Sequence, residues 1–133
     1  PLEDRPDRSY SQLVLRYFEI QLLGHTGYEP SFRVCAHCAA ELRPEPSGFS
    51  ASLGGALCPQ CARFWARPLS VKALRILRLL QRSKWSEVPR WHLEPGLLAE
   101  LERVMRDLLR YHLERDLKSW SFLEMHARSS NYV

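Results

Sequence analysis

The chain is short of several things, and each shortage excludes something. It has no uninterrupted apolar run near the ~18 residues that a membrane-spanning helix needs. It has no H-E-x-x-H, no G-x-x-x-x-G-K-[ST] loop and no G-x-S-x-G, so three common catalytic frameworks find no footing. It opens Pro1-Leu2-Glu3-Asp4-Arg5, without the apolar segment of a secretory signal and without an initiator methionine, which points to a fragment or processed piece. Neither polar bias nor low complexity is present: 45% of the 133 residues are hydrophobic and 26% are charged, the balance of an ordinary folded chain rather than a disordered tail. A chain of this length can bury a real core as one domain, or as one domain carrying a small inserted module.

The net charge of +4 is unevenly placed. Residues 1–34 carry 4 basic and 5 acidic groups, residues 35–70 carry 3 and 2, and residues 71–133 carry 12 and 8. The positive field therefore lies in the C-terminal half. It favours anionic partners such as nucleic acid or an acidic peptide, although an arginine-rich solvated helix face would leave the same trace.

Four cysteines form two pairs, Cys35-Ala36-His37-Cys38 and Cys58-Pro59-Gln60-Cys61, with 19 residues between them. Two residues between thiols make a tight knuckle with both sulfurs on one side of the backbone. Two facing knuckles supply the tetrahedral set of a zinc ion. Disulfides would need an oxidising compartment, and a redox C-x-x-C would not need a second copy at this distance; the spacing favours one Zn2+ on Cys35, Cys38, Cys58 and Cys61. With four thiolates no coordination position is left for water or substrate, so the expected role is structural. His37, inside the first knuckle, is read as solvent-facing rather than a ligand, and His25 and His112 as surface or satisfied core histidines. The segment between the pairs holds Pro44, Pro46, Gly48, Gly54 and Gly55, with β-prone pieces at Gly48-Phe49-Ser50 and Gly55-Ala56-Leu57. That pattern predicts a hairpin carrying the second knuckle.

Hydrophobic periodicity predicts helices elsewhere. Residues 1–8 read as a linker or arm, and residues 9–133 as a helical domain with the zinc module inserted at about 31–66. From Ser9 to Leu23, apolar residues from Leu13 to Leu23 cover nearly the whole circumference, which predicts burial on all sides. Ser70 is positioned to cap a helix over about 71–83, with Leu74, Ile76, Leu77 and Leu80 on one face and Lys72, Arg75, Arg78 and Arg82 opposite. A connector from Ser83 to His92 interleaves Lys84 and Arg90 with Trp85 and Trp91, a combination suited to phosphates and stacked bases, or simply to packing. Pro95 opens a long helix to about Lys118, with Arg103, Arg106 and Arg110 on its solvent side and a frayed tail from Arg128. The fold class is mainly α: a helical bundle with an inserted four-cysteine zinc module containing a β-hairpin. Lys72, Arg75, Arg78, Arg82, Lys84, Arg103, Arg106 and Arg110 are the candidates for binding nucleic acid or an acidic tail, chosen by charge.

At this point several stretches resemble one family. Arg16-Tyr17-Phe18-Glu19-Ile20-Gln21-Leu22-Leu23, then Gly27-Tyr28-Glu29-Pro30 and Cys35-x-x-Cys38, look like the start of the C-terminal region of the bacterial DNA repair protein RecO. Gly54-Gly55-Ala56-Leu57-Cys58-x-x-Cys61 and the closing Tyr111-His112-Leu113-Glu114-x-x-Leu117-Lys118-Ser119-x-x-Phe122-Leu123 are similar to the same family, apart from Trp120-Ser121 within the closing signature. The resemblance runs from about Ser9 to Leu123. It implies a non-enzymatic recombination mediator. Such proteins act with RecR, contact the acidic C-terminal tail of the single-strand binding protein SSB through their helical domain, anneal single-stranded DNA and help to load RecA. It also implies that Cys35, Cys38, Cys58 and Cys61 are the zinc ligands. The family's N-terminal OB-fold, which precedes the helix at Ser9, is missing from these residues, and with it much of the DNA-binding surface. A zinc-stabilised interaction adaptor without direct nucleic-acid binding is the alternative function.

Overall fold

The computed structural model describes residues 8–65 and 67–131; the expected arm over residues 1–8 lies outside them except for Arg8. Helix α1 (Arg8–His25) is followed by strands β1 (Ser47–Ser50) and β2 (Gly55–Leu57), helix α2 (Pro59–Trp65), strand β3 (Arg67–Leu69), and helices α3 (Val71–Arg82) and α4 (Pro95–Asn131). A single 3-10 turn, Trp85–Glu87, lies in the connector between α3 and α4.

The three long helices bury one face each. Leu13, Tyr17, Ile20 and Leu23 from α1 meet Leu74, Leu77 and Leu80 from α3 and Leu101, Met105 and Leu108 from α4. The same cluster continues without a break into Phe32, Cys35, Phe49, Ala56, Leu57 and Leu69 of the small module. The module is thus part of the bundle's core.

Its sheet has the order β2-β1-β3, all antiparallel, with Phe49 opposite Ala56 on one side and Arg67 on the other. The hairpin was legible in the sequence; β3 was not, because a three-residue strand containing Pro68 carries no pattern. Two contacts tie β3 and the start of α3 to α4. Arg67 pairs with Asp107 at 2.8 Å. Glu100 accepts from the Ser70 backbone N–H at 2.8 Å and from its hydroxyl at 2.6 Å. Ser70 in turn accepts from Ala73 N–H, the expected cap of α3.

Two expectations are corrected. Helix α1 is not buried all round: Leu15, Phe18 and Leu22 are 52%, 52% and 57% exposed, with Trp85 beside Phe18 at a ring separation of 5.8 Å. Among the described residues the main packing on α1 comes from α3 and α4, so one apolar side of the helix stays largely open. Helix α4 does not end near Lys118 but continues to Asn131, since nothing between Lys118 and Asn131 is a helix breaker; the last two residues of the tail expected to fray lie outside the described residues.

Gly55 shows how closely the module is packed. A Cβ there would overlap the Ser31 carbonyl oxygen, whose hydrogen bond with Ala56 N–H (2.8 Å) holds the chain before the first knuckle against β2. Gly24, near the end of α1, has open space around it. Gly55→Ala should therefore cost ~2 kcal/mol or more in denaturant unfolding. Gly24→Ala should be neutral or stabilise by ~0.5 kcal/mol. Equal effects at the two positions would contradict the packing described.

Candidate metal centre and basic pocket

The first knuckle is a turn closed by Cys35 N–H to Ala40 O (2.7 Å) and Ala39 N–H to Cys35 O (2.9 Å). It needs a left-handed residue, and Ala39 takes that role at φ 65°. Ala36 N–H donates to Ala56 O at 2.8 Å, which docks the knuckle on β2. The second knuckle begins one residue after β2 and runs into the first turn of α2, where Ala62 N–H reaches Cys58 O at 2.9 Å. Both knuckles are thus referenced to one strand.

The sulfurs of Cys35, Cys38, Cys58 and Cys61 all lie within 4.8 Å of one another. Zinc–thiolate bonds of ~2.3 Å imply a tetrahedral edge of about 3.8 Å. The Cys38 and Cys58 sulfurs are 3.8 Å apart. Four thiols at these distances, one buried and three partly or fully accessible, are a donor set that fits a soft divalent cation such as zinc.

Their ionisation agrees. Burial opposes charge on Cys35, but the backbone N–H groups of Cys38, Cys58 and His37 outweigh it and lower the thiol to about 6. Burial and hydrogen bonds from the neighbouring thiols push Cys61 up to about 12. Without a cation one sulfur ionises readily and another resists. A dication removes that conflict and expels the protons. His37 Nδ1 lies 3.5 Å from Cys61 Sγ, beside the cluster and outside the four-sulfur set.

The purified chain should hold one zinc in an all-sulfur shell near ~2.3 Å by X-ray absorption. Its zinc affinity should fall as pH drops from 8 to 6, because protons compete for the sulfurs. A nitrogen or oxygen ligand in the shell, or affinity indifferent to pH, would contradict this geometry.

The eight candidate cations fall into two rows. Lys72, Arg75, Arg78 and Arg82 run along α3, with Lys84 just beyond its end; Arg103, Arg106 and Arg110 lie on the solvent side of α4. Lys72 and Arg75 border a hollow of about 490 Å³ completed by Ile76, Trp91, His92, Leu93, Glu94 and Leu97. The connector that forms its far wall is pinned at two points. Leu93 N–H donates to the buried Ser9 hydroxyl at 2.9 Å, and the Arg90 guanidinium lies 4.1 Å over the Tyr10 ring. Trp91, 49% exposed, is therefore held at the rim instead of filling the core. Sequence reasoning found the cations and Trp91, but missed the apolar floor of Ile76, Leu93 and Leu97, because those positions also read as core.

One candidate for a satisfied core histidine turns out otherwise. His112 is buried and stacked on Tyr28 at 4.2 Å, and its Nδ1 has no hydrogen-bond partner among the described residues. Burial first, then the nearby Arg115, holds its pKa below the ordinary value of 6.5, against a smaller opposing pull from Asp116. The unfolded chain therefore binds this proton at a higher pH than the native one. Stability should be complete above about pH 6.5 and decline as pH falls below it. His112→Phe should flatten that part of the melting-temperature profile; an unchanged slope would rule His112 out as its source.

No helix among the described residues is long and apolar enough to cross a membrane. A family model described as "Recombination protein O C terminal" matches residues 2–121. The chain is 35% identical over 124 residues to DNA repair protein RecO of Dehalococcoides mccartyi, covering 92% of this chain and 49% of that protein. It is 40% identical over 114 residues to the RecO protein of a Roseiflexus species (84% and 40% covered) and 35% identical over 116 residues to that of Pelotomaculum thermopropionicum (86% and 45%). The chain thus spans about half the length of the curated relatives it matches. No solved structure matches it significantly. With a matching region that takes in both cysteine knuckles, α3 and most of α4, this chain belongs to the RecO family of DNA repair proteins and corresponds to their C-terminal region.

Proposed function

We propose that the chain is a non-enzymatic mediator module of the RecO type, acting in the bacterial cytoplasm, in which one structural zinc on Cys35, Cys38, Cys58 and Cys61 fixes a scaffold for anionic partners. The partners proposed are the acidic tail of SSB, RecR and single-stranded DNA, in support of strand annealing and RecA loading. Bound zinc supplies charge neutralisation and a cross-link between the knuckles. The protein's own side chains supply recognition.

The observation that carries this reading is the hollow beside α3. An acidic peptide that ends in an apolar residue needs cations at the rim and an apolar floor. Lys72 and Arg75 provide the first, in a lining that also includes Glu94, and Ile76, Leu93 and Leu97 the second, with Trp91 at the rim. The rim charges steer the peptide and the floor holds its last side chain. Arg78, Arg82 and Lys84 extend the same positive strip toward Trp85, where a nucleic-acid strand would find phosphate partners and an indole to stack on.

The test is fluorescence anisotropy of a labelled acidic peptide with an apolar C-terminal residue, and of labelled single-stranded DNA, over a salt series. Peptide binding should weaken with salt and fall by at least about tenfold in Lys72→Glu/Arg75→Glu, a loss of ~1.4 kcal/mol or more. The same loss should follow when the peptide's terminal apolar residue is replaced by serine. Binding that ignores both salt and the double reversal would instead favour the adaptor reading without charge-driven partners.

A further inference from the structure

Every residue of α4 from Leu113 to Ala127 is exposed, and among them Leu113, Leu117, Trp120 and Leu123 are 57–63% exposed. The arm is anchored at its root, where the Tyr28 hydroxyl donates to Asp116 at 2.8 Å. Beyond that root the described residues give it no cover.

The uncovered face has a strict alternating three-and-four spacing: Arg103, Arg106, Arg110, Leu113, Leu117, Trp120, Glu124, Ala127. All eight are exposed. In heptad terms they are successive a and d positions, while the bundle uses b, c and f through Val104, Met105, Leu108 and His112. Up to His112, helix α4 therefore has two seams on opposite sides, one filled by its own bundle and one open; beyond His112 it is exposed all round, with Phe122 and Met125 off this seam. The open seam is basic at one end, apolar and aromatic in the middle, and acidic toward the other end.

Such a polarity fits itself head to tail. When a second α4 is laid antiparallel with the two-fold axis at Arg115, Arg106 faces the second copy's Glu124, Arg110 faces its Trp120, and Leu113 faces its Leu117; each pairing occurs twice. Sliding the register one heptad layer toward the C-terminus puts Glu124 against Leu113 and leaves Arg106 with only Glu102 of its own helix, 3.9 Å away. Sliding it the other way sets Arg106 and Arg110 against leucines. Only the central register matches charge with charge, cation with indole and leucine with leucine.

We propose that the open seam of α4 is a homodimer interface: two copies pair antiparallel through Arg103–Ala127, with their bundles on opposite outer sides. Arg103, Arg106 and Arg110 then serve association, and the anion-binding role falls to the α3 row. Glu114 flanks the axis in both copies and opposes the pairing, so the association is tunable.

Sedimentation equilibrium of the zinc-loaded chain, at low salt and across the micromolar range, should show reversible doubling of mass. Arg106→Glu and Glu124→Arg should each weaken association about tenfold or more, and the two together in one chain should restore it. Glu114→Gln should strengthen it. Far-UV circular dichroism and zinc content should be unchanged in all of them, because these side chains are solvent-exposed in the single chain. A chain that stays monomeric, a dimer that survives Arg106→Glu, or a double variant that does not recover would each overturn the proposal. Survival would instead point to the exposed Leu15, Phe18 and Leu22 side of α1.

Discussion

Four sulfurs within 4.8 Å are a constraint before they are a site. Their positions are fixed by one short strand: β2 receives the first knuckle through Ala36 and the second through the chain that leaves it at Cys58. Three- and four-residue strands cannot hold a sheet in place by themselves. A cation that binds all four thiolates closes the loop from Cys35 to Cys61 and fixes the sheet against the bundle. Because Cys35, Phe49, Ala56 and Leu57 belong to the same apolar cluster as α1, α3 and α4, order at the metal centre is transmitted directly into the helical core.

From that core the surface follows. The β3–α3 junction is tied to α4 through Ser70 and Glu100, and the connector to the start of α1 through Ser9 and Leu93. These ties hold the walls of the hollow beside α3 from two directions. The proposed recognition of anions would therefore sit on rigid elements, with Trp91 kept at the rim by a pinned backbone.

Much of this was legible in the sequence, for physical reasons that differ by element. The four-cysteine cluster was plain because metal–thiolate chemistry imposes a spacing few other functions need. Ser70 marked the start of α3 because an N-cap has a local signature. The hairpin showed in its glycines. Helix α1 misled because its apolar residues encircle it, and periodicity cannot say which side a neighbour will cover. Strand β3, with Pro68 at its centre, has no local signal and exists only by pairing with β1. The apolar floor at Ile76, Leu93 and Leu97 was hidden because pocket lining and core have the same composition; only the placement of the connector separates them. The histidine at 112 looked like routine core, and only the structure shows its unpartnered nitrogen.

The most direct test of the account is an amide chemical-shift titration of the zinc-loaded, 15N-labelled chain with an acidic peptide ending in an apolar residue. The account predicts shifts concentrated at Lys72, Arg75, Ile76 and Trp91–Leu97, with the knuckle amides of Cys35–Ala40 unmoved. Shifts centred on the zinc knuckles or spread evenly over all basic surfaces, or none at all, would contradict it.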